Sequence, residues 1–593
     1  MGVLGDVVAR VASGFSSAAG TLAQRKTNGA SVLGTLAFPF LPFFLTNNPL
    51  PSGYPWGTLR DFDNNPYVNY PNTGVIRTYD FTVSRGIIAP DGYERPVLLV
   101  NDAFPGPLIE ANWGDKIIVN VHNNITGPEE GTAIHWHGLL QIGTPWEDGS
   151  PGVSQCPIAP GKSLTYEFIA DLFGTTWYHS HYSGQYAGGV VGPIVIHGPT
   201  QQKYDVDVGP IMLSADWHHR PYFDIIADML APNGSPQVLS DNNLINGKMT
   251  FDCSTVASGD DTPCNSNAGI SKFKFQTGKT HRLRLINSGA DGVQLFSIDQ
   301  HTLTVIAVDF TPIQPYDTTV VSLGVGQRAD VLVTANVGKP GSAFWMRSTI
   351  ASCTVARQPH AVAAVYYDDA DTTKLPTTTA VPDVSDPNDC AGDSLELTKP
   401  LFPMAVPEPT FTHTMEFELF KNASNITLWK FNGVSMRADY NHPMLIQANE
   451  GNFTFPEERN VLNFYANSSV RIVVVNKTPG PHPMHLHGHN PYILHEGSGP
   501  WDGSIVRPSN PLRRDVQLVR GNGHLALQFD ANPGVWGFHC HIVWHASGGF
   551  FASFVVQPEQ VVKMRLPQTV QDTCDAWDAW TARHVAEQID SGT

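Results

Sequence analysis

Apolar and polar residues alternate in short runs from about residue 75 onward. "TYDFTVSR" (78–85), "KIIVNVHN" (116–123), "LTYEFIA" (164–170) and "GPIVIHG" (192–198) keep a period near two, bounded by Gly, Pro or Asn. In an extended chain that period turns successive side chains to opposite faces, so each run predicts a strand packed on a core. The pattern returns in "THRLRLIN" (280–287), "LTVIAVD" (303–309) and "RADVLVTA" (328–335), and again in "SVRIVVVN" (469–476), "LALQFD" (525–530) and "GFFASFVVQP" (549–558). "GPTQQKYD" (198–205) interrupts it as a linker, and an Asp-, Thr- and Pro-rich stretch at 366–400 interrupts it again. "LRLIN" and "RIVVVN" are similar strands, which points to internal repetition without a short period. The reading is all-β: three consecutive β-sandwich domains of roughly 130–190 residues each. They span 65–200, 201–385 and 386–570, after an N-terminal segment over 1–60. A short C-terminal tail over 571–593, "DAWDAWTARHVAEQIDSGT" in its last part, is read as helical.

Composition narrows the class. At 593 residues the chain is too long for one core, and 53 Gly and 46 Pro suit a turn-rich β protein. The formal net charge of -18 argues against nucleic acid or an anionic membrane surface as partner. One strongly apolar run, "SVLGTLAFPFLPFFL" (31–45), follows Arg25 and Lys26. It is short and proline-rich for a bilayer span, so a secretory segment is expected, with a hydrophobic anchor as the alternative. Seven cysteines (Cys156, Cys253, Cys264, Cys353, Cys390, Cys540, Cys574) allow six to pair in a secreted chain, leaving Cys540 over. Sequons at Asn124, Asn233, Asn422, Asn425, Asn452, Asn467 and Asn476 add weak support for secretion.

The histidines carry the chemistry. With 23 of them, chance placement gives about one His-x-His pair, yet five occur: His135/His137, His179/His181, His485/His487, His487/His489 and His539/His541. All lie in the first and third β regions. In a strand each pair presents two imidazoles to one face. "IHWHG", "YHSHY", "HLHGH" and "FHCHI" therefore offer eight ring nitrogens, enough for a cluster of about three metal ions. If His539 and His541 face that cluster, Cys540 faces away from it. Cys540 and His545 could then bind a second centre, with His482, an odd number of residues before His485, as third ligand. A His₂Cys set is the blue-copper arrangement, and zinc is the runner-up metal. Phe550 stands ten residues after Cys540, where a Met could serve as axial ligand, and phenylalanine cannot coordinate.

"IHWHG", "WYHSHY", "HPMHLHGH" and "HCHIVWH" resemble the four copper motifs of multicopper oxidases, and the chain from about residue 75 resembles ascomycete laccases in particular. The resemblance implies three cupredoxin-like Greek-key sandwiches and four copper ions. A type 1 copper would be held by His482, Cys540 and His545, with Phe550 axial. A type 2 copper would be held by His135 and His485. The two type 3 coppers would take His137, His179 and His541, and His181, His487 and His539. His489 has no ligand role in that pattern. The resemblance further implies disulfides joining Cys156 to Cys574 and Cys353 to Cys390, beside a local Cys253–Cys264 loop. Asp241 matches an acid that accepts a phenol proton, Asp148 an acid near the type 2 copper, and Trp544 a pocket wall. The family's C-terminus ends Asp-Ser-Gly plus an aliphatic residue and plugs a tunnel; here it reads "DSGT", with Thr593 in the last place.

The expected activity is one-electron oxidation of phenols or related aromatics with reduction of O2 to water, by a secreted, extracellular or cell-wall monomer. Rival readings keep the chemistry for pigment biosynthesis or specific phenol coupling, or assign ferroxidase or ascorbate oxidase activity. A non-catalytic copper-binding protein is the rival from another class, and it would be expected to lack some of these ligands.

Overall fold

The computed structural model describes Leu33, residues 65–380 and residues 390–593. The rest of the apolar run at 31–45, and residues 381–389 of the Asp- and Pro-rich stretch, lie outside the described residues.

The alternating runs become strands that pair into six sheets, two for each β region. In the first region Ile76–Ile88 pairs in parallel with Lys116–Asn124, which pairs antiparallel with Ser163–Ile169. The same order recurs twice. Val206–Trp217 lies parallel to Thr280–Asn287, which runs antiparallel to Arg328–Thr334. Phe411–Lys421 lies parallel to Ser469–Asn476, which runs antiparallel to Gly523–Asp530. The similar strands "LRLIN" and "RIVVVN" thus hold equivalent places. The facing sheets repeat as well, each with one parallel pair: Ile109–Asn112 with Val191–His197, Ser271–Lys274 with His360–Tyr366, and Val461–Asn463 with Phe551–Val556. Parallel neighbours within an otherwise antiparallel sandwich require crossover connections, as the cupredoxin-like Greek key does.

Lys116–Asn124 shows why such strands form: Ile117, Val119 and Val121 point inward and are fully buried, while the intervening residues keep some exposure. Cys156 is bonded to Cys574 and Cys353 to Cys390, the pairings the resemblance implies, and Cys253 is bonded to Cys264, closing the expected local loop. Asn476 is buried, and its Nδ2 donates to the carbonyls of Gly480 and Arg520, so that sequon is a structural asparagine.

The tail departs from the helical expectation. The helix is Gln568–Thr581, opening after Pro567, and it buries Val570, Thr573, Cys574 and Trp577 along one face. Beyond it the chain is not helical, and Asp590, Ser591 and Thr593 are buried. Tertiary hydrogen bonds replace helical ones there: Ser591 N–H donates to Ser547 O, and Tyr440 OH donates to Gly592 O.

Candidate metal centre

Strand register assembles the histidines. In the first sandwich, Ile134–Trp136 pairs with Gly174–Ser180 so that His135 stands opposite His179. In the third, His482–Leu486 pairs with Gly534–Cys540 so that His485 stands opposite His539. The two strand pairs face each other, and three groups of imidazoles result: His135, His137 and His485; His137, His179 and His541; His181, His487 and His539. Within each group the nearest ring nitrogens lie within 4.8 Å of one another. Nε2 of His487 is 3.0 Å from Nε2 of His539, and Nε2 of His485 is 3.4 Å from Nε2 of His135.

Burial holds seven of these rings neutral. It drives the pKa of His137, His179, His485, His487, His539 and His541 well below the ordinary histidine range, and that of His181 to about 3. Neutral imidazoles brought this close point lone pairs at shared space, which is what a metal ion relieves. Nε2 of His179 and Nδ1 of His181 and of His541 are buried without a hydrogen-bond partner. Elsewhere the second nitrogen is fixed from behind: His135 Nδ1 donates to Asp148 O (2.7 Å), His485 Nδ1 to Asp515 O (3.0 Å) and His539 Nδ1 to Cys540 O (2.9 Å). Such bonds fix tautomer and ring orientation.

Cys540 turns to the other face of its strand, as the alternation requires. Its Sγ lies 3.6 Å from Nδ1 of His482 and 3.5 Å from Nδ1 of His545, and those two nitrogens are 3.2 Å apart. Cys540 is the one free cysteine among the described residues; burial raises its thiol pKa, and the negative charge of Asp291 raises it further. Thr478 Oγ1, 3.0 Å from His482 Nε2, leaves Nδ1 for this group. Phe550 is fully buried, its centroid 5.5 Å from that of His482, within an aromatic wall of Phe417, Trp429 and Phe431. Trp429 also packs on His545 at 4.4 Å. His545 is half-buried, so it is the exposed edge of the group. Imidazole with a single thiolate and no carboxylate in the set suits copper; structural zinc sites more often use paired cysteines.

The other sequence-derived residues fall as follows. Asp148 is buried with Oδ2 2.9 Å from His487 Nδ1, between the first and third sandwiches. Asp241 lies in a groove of about 440 Å³, lined also by Tyr93, His218, His219, Phe251 and Arg357. Its Oδ2 accepts from His219 N–H at 2.8 Å and its Oδ1 is 3.2 Å from Arg357 Nε. Trp544 is 1 % exposed and packs edge-on behind His218, so it backs the groove wall rather than surfacing. His489 uses both nitrogens on backbone groups, Nδ1 donating to His487 O and Nε2 accepting from Asn532 N–H. Thr593 lines a small cavity with His179, His181, His539 and His541.

Sequence reasoning missed Asp515 and Trp429. Asp515 accepts from His137 Nε2–H at 2.8 Å and takes both Nη groups of Arg328. A single acid after "PLRR" carries no spacing signal, because its partners lie far away in sequence.

Comparison with known proteins agrees with this geometry. Family models described as multicopper oxidase match residues 82–201, 209–370 and 422–560. The chain is 38% identical to Laccase-2 of Botryotinia fuckeliana over 91% of this chain and 92% of that protein. It is 37% identical to the dihydrogeodin oxidase of Aspergillus terreus over 82% of this chain and 84% of that protein. The crystal structure of the laccase from Botrytis aclada superposes with TM-score 0.82 at 37% identity, covering 90% of this chain and 97% of that one.

Proposed function

The chain belongs to the multicopper oxidase family, and on that footing we propose that it is a laccase-type enzyme, oxidising phenols or related aromatics one electron at a time and reducing O2 to water. The observation that carries the reading is the placement of Cys540. It shares one strand with His539 and His541, yet its sulfur meets His482 and His545 while its neighbours meet the histidine cluster.

His482, Cys540 and His545 would hold a type 1 copper, with Phe550 at the non-coordinating axial place. His135 and His485 would hold a type 2 copper. His137, His179 and His541, and His181, His487 and His539, would hold the type 3 pair. Bound copper supplies the one-electron acceptor at the first centre and the reducing power toward O2 at the cluster. The protein supplies the rest. The peptide bonds from Cys540 to His539 and His541 form a short covalent path between the two faces of the strand. The half-buried His545 is the ring an aromatic donor can approach, and His482 and Cys540 are sealed from water. Asp148, whose Oδ2 lies 2.9 Å from His487 Nδ1, would be the acid beside the cluster that takes part in dioxygen chemistry.

The three disulfides suit an oxidising compartment, and no described helix is long and apolar enough to cross a membrane. Secretion as a monomer is the corresponding proposal. A second use of the same chemistry, oxidation of one specific compound, is favoured by the likeness to a protein named for a single substrate, dihydrogeodin oxidase. Oxygen uptake by copper-loaded protein with a simple phenol, against ferrous iron, tests the reading. Faster uptake with the phenol, at about four phenols per O2, supports it; uptake driven by iron alone would replace it with a ferroxidase.

A further inference from the structure

The second sandwich supplies none of the proposed ligands, yet it closes one side of the histidine cluster. Its turn at residues 324–328 runs directly against two of the rings. Gly326 holds a φ of +85°, and a Cβ built there would stand 3.0 Å from Cδ2 of His541 and 3.1 Å from Cε1 of His137. That is tighter than carbon atoms ordinarily pack, so both the left-handed backbone and the approach of the rings call for glycine. Gln327 ties the turn to the third sandwich. Its Nε2 donates to Val516 O at 3.0 Å, while its Oε1 accepts from Gly324 N–H at 2.9 Å.

Arg328 ends the turn and, fully buried, reaches all three sandwiches. Its Nη1 and Nη2 donate to Asp515 Oδ1 at 2.5 Å and Oδ2 at 2.7 Å. Its Nε donates to Thr175 O in the first sandwich, and Nη1 donates also to Gly326 O, each at 3.1 Å. Its backbone N–H donates to Asp309 Oδ1 at 2.8 Å. Asp309 is met in turn by the guanidinium of Arg514, at 2.9 Å to each oxygen, so the Arg328 fork goes to Asp515. Asp515 then holds two cluster rings: Oδ1 accepts from His137 Nε2–H at 2.8 Å, and its carbonyl accepts from His485 Nδ1 at 3.0 Å.

A buried ion pair contributes little net stability by itself, because desolvation offsets its Coulomb gain. What this pair supplies is direction. A fork that binds both oxygens fixes the plane of the carboxylate, which a single N–H does not. Oδ1 is thereby kept on His137 Nε2, and His137 Nδ1 is kept on the side of His541. After burial and the neighbouring imidazoles, the Arg328 charge also helps hold His137 and His541 below the ordinary histidine pKa. Arg284 of the same sandwich is a useful contrast. It is equally buried, but its hydrogen bonds go to Asp207, Thr175 and Asp330 and to no cluster residue.

We infer that, on the multicopper oxidase reading of this site, Arg328 is a positioning residue for the histidine cluster: its fork fixes Asp515, and Asp515 fixes the ring of His137. The sandwich without ligands thus sets how tightly the cluster holds copper, whichever donor the enzyme oxidises.

The test uses copper-loaded full-length protein. Arg328→Lys keeps the charge but cannot fork. Arg328→Gln keeps one N–H toward Asp515 without the charge, and carries the same expectation should the lysine variant fail to fold. Arg284→Lys removes a buried fork away from the cluster. Three quantities are read: the EDTA concentration that strips half of the cluster copper, the electron paramagnetic resonance spectrum of the cluster, and the melting temperature. In the Arg328 variants the half-stripping concentration is expected to fall about tenfold or more, as for partners that stand behind metal ligands. The copper hyperfine splitting of the cluster should shift, with the blue band of the Cys540 centre kept. Arg284→Lys should lower the melting temperature and leave both cluster readouts at wild-type values. Wild-type EDTA resistance and spectrum in the folded Arg328 variants, or an equal weakening in Arg284→Lys, would overturn the inference alone. A wild type that takes up no copper would instead contradict the multicopper reading beneath it.

Discussion

His137 and Asp515 are joined by a 2.8 Å hydrogen bond across the junction of the first and third sandwiches, Nε2–H to Oδ1. That bond leaves Nδ1 of His137 facing Nε2 of His541 at 3.2 Å, where the lone pairs converge. Asp515→Asn offers the His137 ring a donor in place of a charged acceptor. The expected outcome is a fall of about 10–100-fold in copper affinity or activity at the histidine cluster, with the blue centre at Cys540 retained. Metal analysis beside the visible spectrum checks both parts.

The aromatic wall at Cys540 sets the character of that centre. Phe550 lies against Phe417 at 4.4 Å and Trp429 at 5.0 Å, and none of these side chains can coordinate. Phe550→Met would offer a thioether to the proposed copper site, where phenylalanine cannot coordinate, and is expected to lower its reduction potential in a redox titration. Phe550→Ala is expected to cost about 3–5 kcal/mol of stability through the cavity it leaves.

Stability should depend on pH through Glu147, whose pKa burial pushes up to about 8. The folded state then holds a proton that the unfolded chain releases near its ordinary value. The contribution is fully present at acid pH and is lost as pH rises through about 8, with a full span on the order of 4 kcal/mol. Glu147→Gln should flatten this part of the curve and make the protein more stable than wild type at pH 8. Denaturant melts at several pH values check the slope.

The buried end of the chain is held by many partners. Ser183 Oγ donates to Asp590 Oδ2 at 2.7 Å, Arg437 to Asp590 O at 2.8 Å, and Tyr440 OH to Gly592 O at 2.9 Å. Deleting residues 590–593 strands these groups at about 1–3 kcal/mol for each one left buried and unpaired. A lower melting temperature by calorimetry, with blue colour kept, is expected; an unchanged melt would contradict it.

Much of this site is legible in the chain because a strand repeats every two residues. That period converts "HCH" into two imidazoles on one face and a thiol on the other, and cross-strand register does the rest, as His485 opposite His539 shows. The sandwiches are legible for the same reason. What escapes is whatever depends on partners distant in sequence. Asp515 gains its role from His137 and Arg328, and Trp429 from a ring across the sheet. The tail misleads because "DAWDAW" is helical but "IDSGT" is held by tertiary hydrogen bonds that no local pattern encodes.

The proposed copper sites, built from the histidine groups and from His482, Cys540 and His545, are the centre of this account, and Cys540 is its most specific element. The most direct measurement is the visible spectrum of copper-loaded wild type beside Cys540→Ser, with copper counted in each. The account predicts an intense blue thiolate-to-copper band and about four coppers in wild type. In Cys540→Ser the band should vanish while the coppers of the histidine cluster remain. A colourless wild type with full metal loading, or a band that survives the substitution, would contradict it.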